Sequence, residues 1–128
     1  MNDKKLTPVE WDIMDVLWTL EKAASVRDVL ETAYPNGEKA YTTIQTVMNI
    51  LFKKKMLHRE KIGLVNFYTP VYSREQMMDT ELSGVRQRLF HGSIPAMANF
   101  LLNSENLSRD EIEKIRSLLD EKEKNLGE

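Results

Sequence analysis

The first third of the chain carries apolar residues at helical spacing. Thr7-Pro8-Val9-Glu10 has the composition of a helix start, with Thr as N-cap, Pro in the first turn and Glu placed to complete a capping box. After it, apolar side chains recur three or four residues apart at Trp11, Met14, Leu17 and Trp18. The pattern predicts a first helix with one buried face.

Two more helical segments follow before the pattern changes. Ser25 is the predicted N-cap of a short second helix. The apolar stripe of that helix consists of Val26, Val29, Leu30 and Ala33. Pro35-Asn36-Gly37 predicts a turn, because Pro and Gly favour the backbone angles that turns require. A third helical pattern then runs from Tyr41 to Lys54.

The segments after Met56 have strand character. His58–Ile62 and Val65–Thr69 are short and flank Gly63, which predicts a hairpin. Three helices followed by a hairpin is the order of a winged helix-turn-helix, in which the second of the paired helices enters the major groove of DNA. We therefore predict an α+β fold, with a winged helix-turn-helix domain over residues 1–72.

The remainder, residues 73–128, is helical in pattern. One apolar stripe consists of Met78, Leu82, Val85 and Leu89, and the next of Ile94, Met97, Ala98 and Leu101. Gly92-Ser93 separates the two stripes, and Ser108-Arg109-Asp110-Glu111 forms a capping box that opens a last helix. We expect the charged tail Glu121–Glu128 to fray.

The predicted third helix has two chemically different faces. The aliphatic face consists of Ile44, Val47, Met48 and Leu51, and the opposite face of Thr42, Gln45, Thr46, Asn49 and Lys53. No acidic residue occurs between Lys39 and Lys55. Thr, Gln and Asn donate and accept hydrogen bonds at base edges, whereas phosphate would repel a carboxylate. This face favours a DNA-reading helix; the alternative is a polar face that lacks acids by chance.

We interpret the polar face and the start of this helix as base-reading. The predicted base-reading residues are Tyr41, Thr42, Thr43, Gln45, Thr46 and Asn49. For Tyr41 two roles stay open, because the side chain at the helix start either stacks on DNA or contacts phosphate, or merely caps the turn.

Basic residues are concentrated beside this helix. The whole chain has 18 basic and 20 acidic residues and a net charge of −2, but Glu60 is the one acid among six basic residues between Lys39 and Lys61. A basic patch on a near-neutral protein is a candidate phosphate-facing surface. The alternative is a solvated helix end, where lysines suit the helix dipole. The predicted phosphate-contacting residues are Lys39, Lys53, Lys54, Lys55 and Lys61.

Composition excludes several classes of protein. The chain of 128 residues lacks cysteine, which excludes disulfides, thiolate zinc sites and cysteine nucleophiles. No apolar run approaches the ~18 residues of a membrane span, and Met1–Leu6 is too polar for a signal peptide. We expect a soluble, cytoplasmic protein that does not insert into membranes.

The sequence contains no recognisable catalytic or metal-binding motif. His58 and His91 are the two histidines, and neither has a second histidine at the spacing of a metal-binding helix. The five glycines are isolated, so no phosphate-binding loop is present. We predict that the protein is not an enzyme and has no catalytic residue, metal site or cofactor.

Short motifs recur along the chain in a characteristic order. The first helix contains Leu6-Thr7-Pro8-Val9-Glu10-Trp11 and Val16-Leu17-Trp18. The third helix contains Thr43-Ile44-Gln45-Thr46, followed by Leu51-Phe52-Lys53-Lys54-Lys55. The hairpin and the C-terminal region contain Tyr68-Thr69-Pro70, Ser73-Arg74-Glu75 and Ala98-Asn99-Phe100-Leu101. Together these motifs resemble the penicillinase repressor (BlaI/MecI) family of winged-helix transcriptional regulators, and the similarity covers nearly the whole chain, in order.

The resemblance implies a homodimeric repressor. Its winged domain would bind a palindromic operator in double-stranded DNA, and its C-terminal helices would dimerise. In family members that govern antibiotic resistance, a membrane-bound sensor metalloprotease responds to β-lactam, and the repressor is cut between an Asn and a Phe. The matching bond here is Asn99–Phe100. From the residues alone, the alternative is an exposed Asn beside a core Phe.

Two positions depart from the family pattern. Thr42 and Leu64 stand where family members often carry basic residues, at the start of the recognition helix and after the wing glycine. The absence of these two positive charges would weaken contacts with phosphate or the minor groove, or change the preferred half-site. The two departures would also fit an alternative function, a winged-helix adaptor that binds protein and not an operator. Copper-responsive relatives bind metal through C-terminal cysteines, which this chain lacks.

The C-terminal region is predicted to dimerise because three short helices make a thin core on their own. Two interleaved copies would bury more of the apolar surface. The predicted dimerisation residues are Leu82, Val85, Leu89, Met97, Leu101, Ile112, Ile115 and Leu119. The alternative is that these helices pack back on the winged domain in a monomer.

Overall fold

The computed structural model describes residues 5–127. Met1–Lys4, which belong to the segment interpreted as too polar for a signal peptide, and Glu128 lie outside the described residues. The elements are α1 (Pro8–Leu20), α2 (Val26–Ala33), α3 (Tyr41–Lys53), β1 (Leu57–Ile62), β2 (Val65–Pro70), α4 (Arg74–Phe90), α5 (Ile94–Ser104) and α6 (Arg109–Leu126). This order confirms the predicted α+β class, a winged helix-turn-helix followed by helices.

The starts of α1, α2 and α6 are held by side-chain caps. The backbone N–H of Thr7 donates to Glu10 Oε1 at 2.8 Å, and the Glu10 N–H donates back to Thr7 Oγ1 at 3.3 Å. Ser25 caps α2 and Ser108 caps α6 through the same reciprocal pattern. Each box satisfies backbone N–H groups that have no partner inside the helix. The three N-caps predicted from the sequence are confirmed.

The core of the winged unit lies where the first three helices and the wing meet. Its fully buried side chains are Ile13, Met14, Leu17, Val29, Ile44, Met48, Leu51, Met56 and Met77. Trp11 and Trp18 pack at the edge of this core with ring centroids 5.6 Å apart. Trp18 Nε1 also donates to the Tyr72 carbonyl at 2.9 Å, which ties the end of the wing to α1.

The wing is an antiparallel hairpin anchored to the helices. Leu57 pairs with Pro70 and Ile62 with Val65, and Gly63 adopts a φ of 66° in the turn between them. Ala24, just before α2, exchanges two backbone hydrogen bonds with Tyr68 of β2, at 3.0 and 2.8 Å. The hairpin is therefore fixed beside the helix pair by backbone as well as side-chain contacts.

The chain folds as two compact units, the first extending to Gly84 and the second beginning at Val85. The predicted boundary between residues 72 and 73 coincides with the junction between the wing and α4 and stays a prediction. In the second unit, α5 and α6 contain no buried residue. α6 continues to Leu126, so the charged tail is helical up to that residue, and its fraying stays a prediction. Its Glu and Lys residues are good helix formers, and the capping box fixes its start.

Candidate nucleic-acid interface

The polar face of α3 is turned away from the core. Ile44, Met48 and Leu51 are fully buried, and Val47 is half-buried. The side chains of Thr42, Thr43, Gln45, Thr46, Asn49 and Lys53 are all exposed. The division into an aliphatic and a polar face is therefore confirmed, and the polar face forms an acid-free exposed surface.

The start of α3 has free hydrogen-bond donors. Its N-cap is Ala40, no side chain caps the helix among the described residues, and its first turn contains no acid. The first N–H groups of a helix have no partner within it, and the dipole makes this end positive. Both features favour an anion such as phosphate near the beginning of α3.

Tyr41 lies at this helix start, and Arg27 of α2 packs on it. The Arg27 Cζ is 5.3 Å from the centroid of the Tyr41 ring, and the Tyr41 side chain is partly exposed. The sequence interpretation missed Arg27 because this residue lies outside the basic segment that begins at Lys39. Arg27 lies in the first turn of α2, the helix before α3. In helix-turn-helix proteins the first helix of the pair crosses the DNA backbone, so the position of Arg27 is a signal from which a phosphate contact could have been predicted.

A concave surface connects α2, α3 and the wing. The cavity has a volume of about 420 Å³. Its lining includes Arg27, Asp28, Tyr41, Gln45, Leu64 and Asn66. Leu64 is 95% exposed at the tip of the wing. The surface thus continues from the recognition helix onto the wing.

The predicted phosphate-contacting lysines have different surroundings. Lys39, Lys53, Lys55 and Lys61 are exposed, and the Lys39 ammonium lies 6.0 Å from the Tyr34 ring centroid. Partial burial, and then the neighbouring Asp12 carboxylate, raise the pKa of Tyr34 above its usual value, so the phenol stays protonated and donates to Asp12 Oδ2. The Lys39 ammonium is thus held beside a neutral ring.

Lys54 is bound within the protein. Its ammonium donates to both carboxylate oxygens of Glu10, at 3.1 and 3.0 Å, and Glu10 is only 3% exposed. The same carboxylate takes part in the Thr7 capping box. Lys54 therefore joins the end of α3 to the beginning of α1, and its contact with DNA phosphate stays a prediction that would require it to leave Glu10.

Asn49 is held by the wing. Arg59 of β1 donates from Nη1 to Asn49 Oδ1 at 3.3 Å, and its guanidinium lies 3.9 Å from the centroid of the Phe52 ring. Arg59 belongs to the basic segment seen in the sequence, but nothing local to β1 indicates that it reaches the recognition helix. The contact joins residues ten positions apart in different elements.

The predicted dimerisation residues lie mostly on the surface of the single chain. Leu82, Leu89, Leu101, Ile112 and Leu119 are exposed, and Val85, Met97 and Ile115 are half-buried. A small apolar cavity of about 170 Å³ is lined by Leu102, Ile112, Ile115, Arg116 and Leu119. Leu82 lies in the first unit, and the other predicted dimerisation residues leave apolar side chains exposed or half-buried in the second unit.

The bond between Asn99 and Phe100 lies within α5. The Asn99 carbonyl and Oδ1 both accept hydrogen bonds from Asn103 Nδ2, at 2.9 and 2.8 Å. Phe100 is 58% exposed, and its ring contacts that of Phe90 at 6.0 Å. Both residues of the predicted cleavage site are therefore on the surface of the single chain, in helical conformation.

Among residues 5–127, no group of three or more His, Asp or Glu side chains is arranged to hold a metal ion. None of the helices in the described part of the chain combines the length and apolarity needed to cross a membrane.

Known proteins resemble this chain over most of its length. The family model described as penicillinase repressor matches residues 6–121. The methicillin resistance regulatory protein MecI of Staphylococcus aureus is 24% identical over 118 residues, which are 92% of this chain and 95% of that protein. The penicillinase repressor of Bacillus licheniformis is 25% identical over 117 residues, or 91% of each chain. The transcriptional regulator BlaI of Mycobacterium tuberculosis is 29% identical over an alignment of 132 positions, which covers 96% of this chain and 88% of that protein.

Proposed function

The chain belongs to the penicillinase repressor family and is a transcriptional regulator of that type, and we propose that it represses transcription as a homodimer bound to a palindromic operator. The observation that carries this proposal is the exposed, acid-free face of α3 above the fully buried Ile44, Met48 and Leu51. An exposed helix face usually carries Glu, which favours helices. Thr, Gln and Asn in its place fit base edges and avoid phosphate repulsion.

The proposed contacts divide into two kinds. Tyr41, Thr42, Thr43, Gln45, Thr46 and Asn49 address the major groove, and Lys39, Lys53, Lys54, Lys55 and Lys61 address phosphates. Phosphate contacts position a protein on DNA and base contacts select the sequence. Lys54 is the weakest of the proposed phosphate contacts, because two hydrogen bonds already hold its ammonium on Glu10.

Dimerisation is proposed for the second unit. Its helices expose large apolar side chains, among them Leu89, Ile94, Phe100, Leu118 and Leu119. One recognition helix reads only a few base pairs, each worth about 1–3 kcal/mol. A second copy makes the second contact intramolecular and raises affinity. We expect the two α3 helices of the dimer to lie about 34–36 Å apart, one turn of DNA.

Proteolysis at Asn99–Phe100 is the proposed means of release, with a membrane-bound sensor protease as the partner. The bond lies in α5, among the residues proposed to dimerise, so cutting it would remove the affinity gained by dimerisation and leave the DNA-reading unit folded. Since α5 is a regular helix with Asn103 hydrogen-bonded to Asn99, the segment must unwind before a protease binds it in extended form.

Mass spectrometry of the protein recovered from cells after β-lactam treatment tests the proposed cleavage. Two fragments that meet at Asn99 and Phe100 would support cleavage, and an intact chain released from DNA would contradict it.

The DNA-binding proposal is tested by a mobility shift with DNA from the promoter region of the protein's own gene at moderate salt. We expect a shift that persists when random-sequence competitor is added. A folded dimer that gives no shift would overturn the proposal and favour the adaptor function. Because phosphate contacts release counterions, the logarithm of the affinity should also fall linearly with the logarithm of the salt concentration.

A further inference from the structure

Arg59 connects the wing to the DNA-facing side of α3. Its guanidinium lies 3.9 Å from the Phe52 ring centroid and donates from Nη1 to Asn49 Oδ1 at 3.3 Å. Stacking on an aromatic ring and a hydrogen bond together restrict a side chain that would otherwise have many rotamers. The Arg59 side chain is therefore held against the exposed amide of Asn49.

This contact determines which way the Asn49 amide faces. A guanidinium has only donors, so the group of Asn49 that faces it must be the carbonyl oxygen. The amide NH₂ then points away from Arg59. An Asn side chain recognises adenine by using both groups at once, accepting from N6–H and donating to N7. The Arg59 guanidinium takes one of the two lone pairs of Oδ1 and lies against that side of the amide, so the NH₂ is the group that remains accessible to a base.

We propose that Arg59 is a positioning residue that makes Asn49 a hydrogen-bond donor and so directs it to guanine. Guanine presents two acceptors, N7 and O6, in the major groove, whereas adenine presents one acceptor beside a donor. This inference rests on the proposed DNA-binding function and deepens it, because it names the base class that one residue of α3 selects. Arg59 acts through Asn49 and need not touch a base itself.

Lys61 provides the matched control. It lies two residues after Arg59 on β1, so both side chains are on the same face of the strand, and both are exposed and basic. Replacing either residue by Ala removes one positive charge from the wing. Arg59 additionally holds the Asn49 amide, so the two substitutions separate an effect of charge from an effect of amide orientation.

The test is selection of binding sites from a random duplex library with four proteins: wild type, Asn49→Ala, Arg59→Ala and Lys61→Ala. The half-site position whose base preference disappears in Asn49→Ala is the one that Asn49 reads. At that position we expect guanine with the wild type and with Lys61→Ala. With Arg59→Ala the freed amide should favour adenine, a change of about tenfold in relative affinity, since a bidentate contact discriminates by that order. Lys61→Ala should weaken all sites equally.

Three results would overturn the inference. They are adenine already preferred by the wild type, no change of base preference in Arg59→Ala, and an Asn49→Ala variant with the wild-type preference at every position. Each of them requires a wild type that binds DNA. Failure of the proposed function would be recognised separately, because the wild type would then enrich no sequence from the library. Circular dichroism of each variant is the control for folding, and we expect unchanged spectra because all three substituted side chains are exposed.

Discussion

At the scale of single residues, neighbouring lysines at the end of α3 have different roles. Lys53 is exposed on the polar face, whereas the Lys54 side chain is 28% exposed and pairs with the buried Glu10. Removing one partner of a buried ion pair leaves the other charge without compensation, which costs more than an exposed ion pair contributes. Substitutions of the two lysines therefore allow a contribution to stability to be distinguished from the proposed contact with DNA.

The first prediction compares Lys54→Ala with Lys53→Ala. Lys54→Ala should lower the free energy of unfolding by about 2–3 kcal/mol, because Glu10 loses two hydrogen bonds to a charged donor. Lys53→Ala should change it by less than about 0.5 kcal/mol and should lower the slope of affinity against salt by about one. Urea denaturation measures the free energy of unfolding, and salt titration of DNA binding measures the slope. An unchanged stability together with a reduced salt slope in Lys54→Ala would show that Lys54 serves phosphate instead.

The second prediction concerns Lys55, which follows α3 with a φ of 66°. This left-handed conformation strains any residue with a Cβ and suits glycine. Lys55→Gly should therefore raise the free energy of unfolding by about 1 kcal/mol, although the affinity for DNA of any sequence falls with the lost charge. Lys53→Gly, at the end of the helix proper, should instead lower stability. Destabilisation by Lys55→Gly in urea denaturation would contradict this account of the turn.

At the scale of elements, local signals predicted the structure well and contacts between elements were not predicted. The caps at Thr7, Ser25 and Ser108 act within three residues, so the sequence shows them directly. The polar face of α3 follows from helical periodicity alone. The bonds from Lys54 to Glu10 and from Arg59 to Asn49 join different elements, and such pairs depend on tertiary packing that no local pattern contains. Lys54 consequently looked like one of five equivalent lysines.

The third prediction tests α3 as an element by placing a carboxylate on its polar face. Thr46→Glu should preserve the fold, because Thr46 is exposed, and should abolish DNA binding through repulsion from phosphate. Thr46→Gln introduces a side chain of nearly the same size as Glu but without the charge. This variant should keep its affinity for DNA and change the preferred sequence. Fluorescence anisotropy on selected and random duplexes measures both effects. Equal affinities of the Glu and Gln variants would show that α3 does not approach DNA.

At the scale of the whole molecule, the two units differ in how much apolar surface they bury. The winged unit has a core of fully buried side chains, whereas α5 and α6 have none. Large exposed apolar surfaces on soluble proteins mark interaction sites. The second unit is therefore the part of the chain for which a second copy is expected to complete the packing.

The fourth prediction follows from that difference. The double variant Leu101→Glu and Leu119→Glu places charges on the apolar surface and should give a monomer in sedimentation experiments. Affinity for the palindromic operator should fall by about 100-fold or more, because the second half-site contact is no longer intramolecular, while binding to a single half-site stays unchanged. Leu64→Glu, at the exposed wing tip, is the control and should remain dimeric. A double variant that sediments as a dimer would place the interface elsewhere.

The central claim is that the acid-free face of α3 contacts DNA, and backbone amide chemical shifts recorded with and without a selected operator duplex test it most directly. The shifts should change most along Tyr41–Asn49 and at the wing residues Arg59 and Lys61, and little at the exposed positions of α6. Changes confined to other surfaces, with the amides of α3 unaffected by a duplex that binds, would contradict the account.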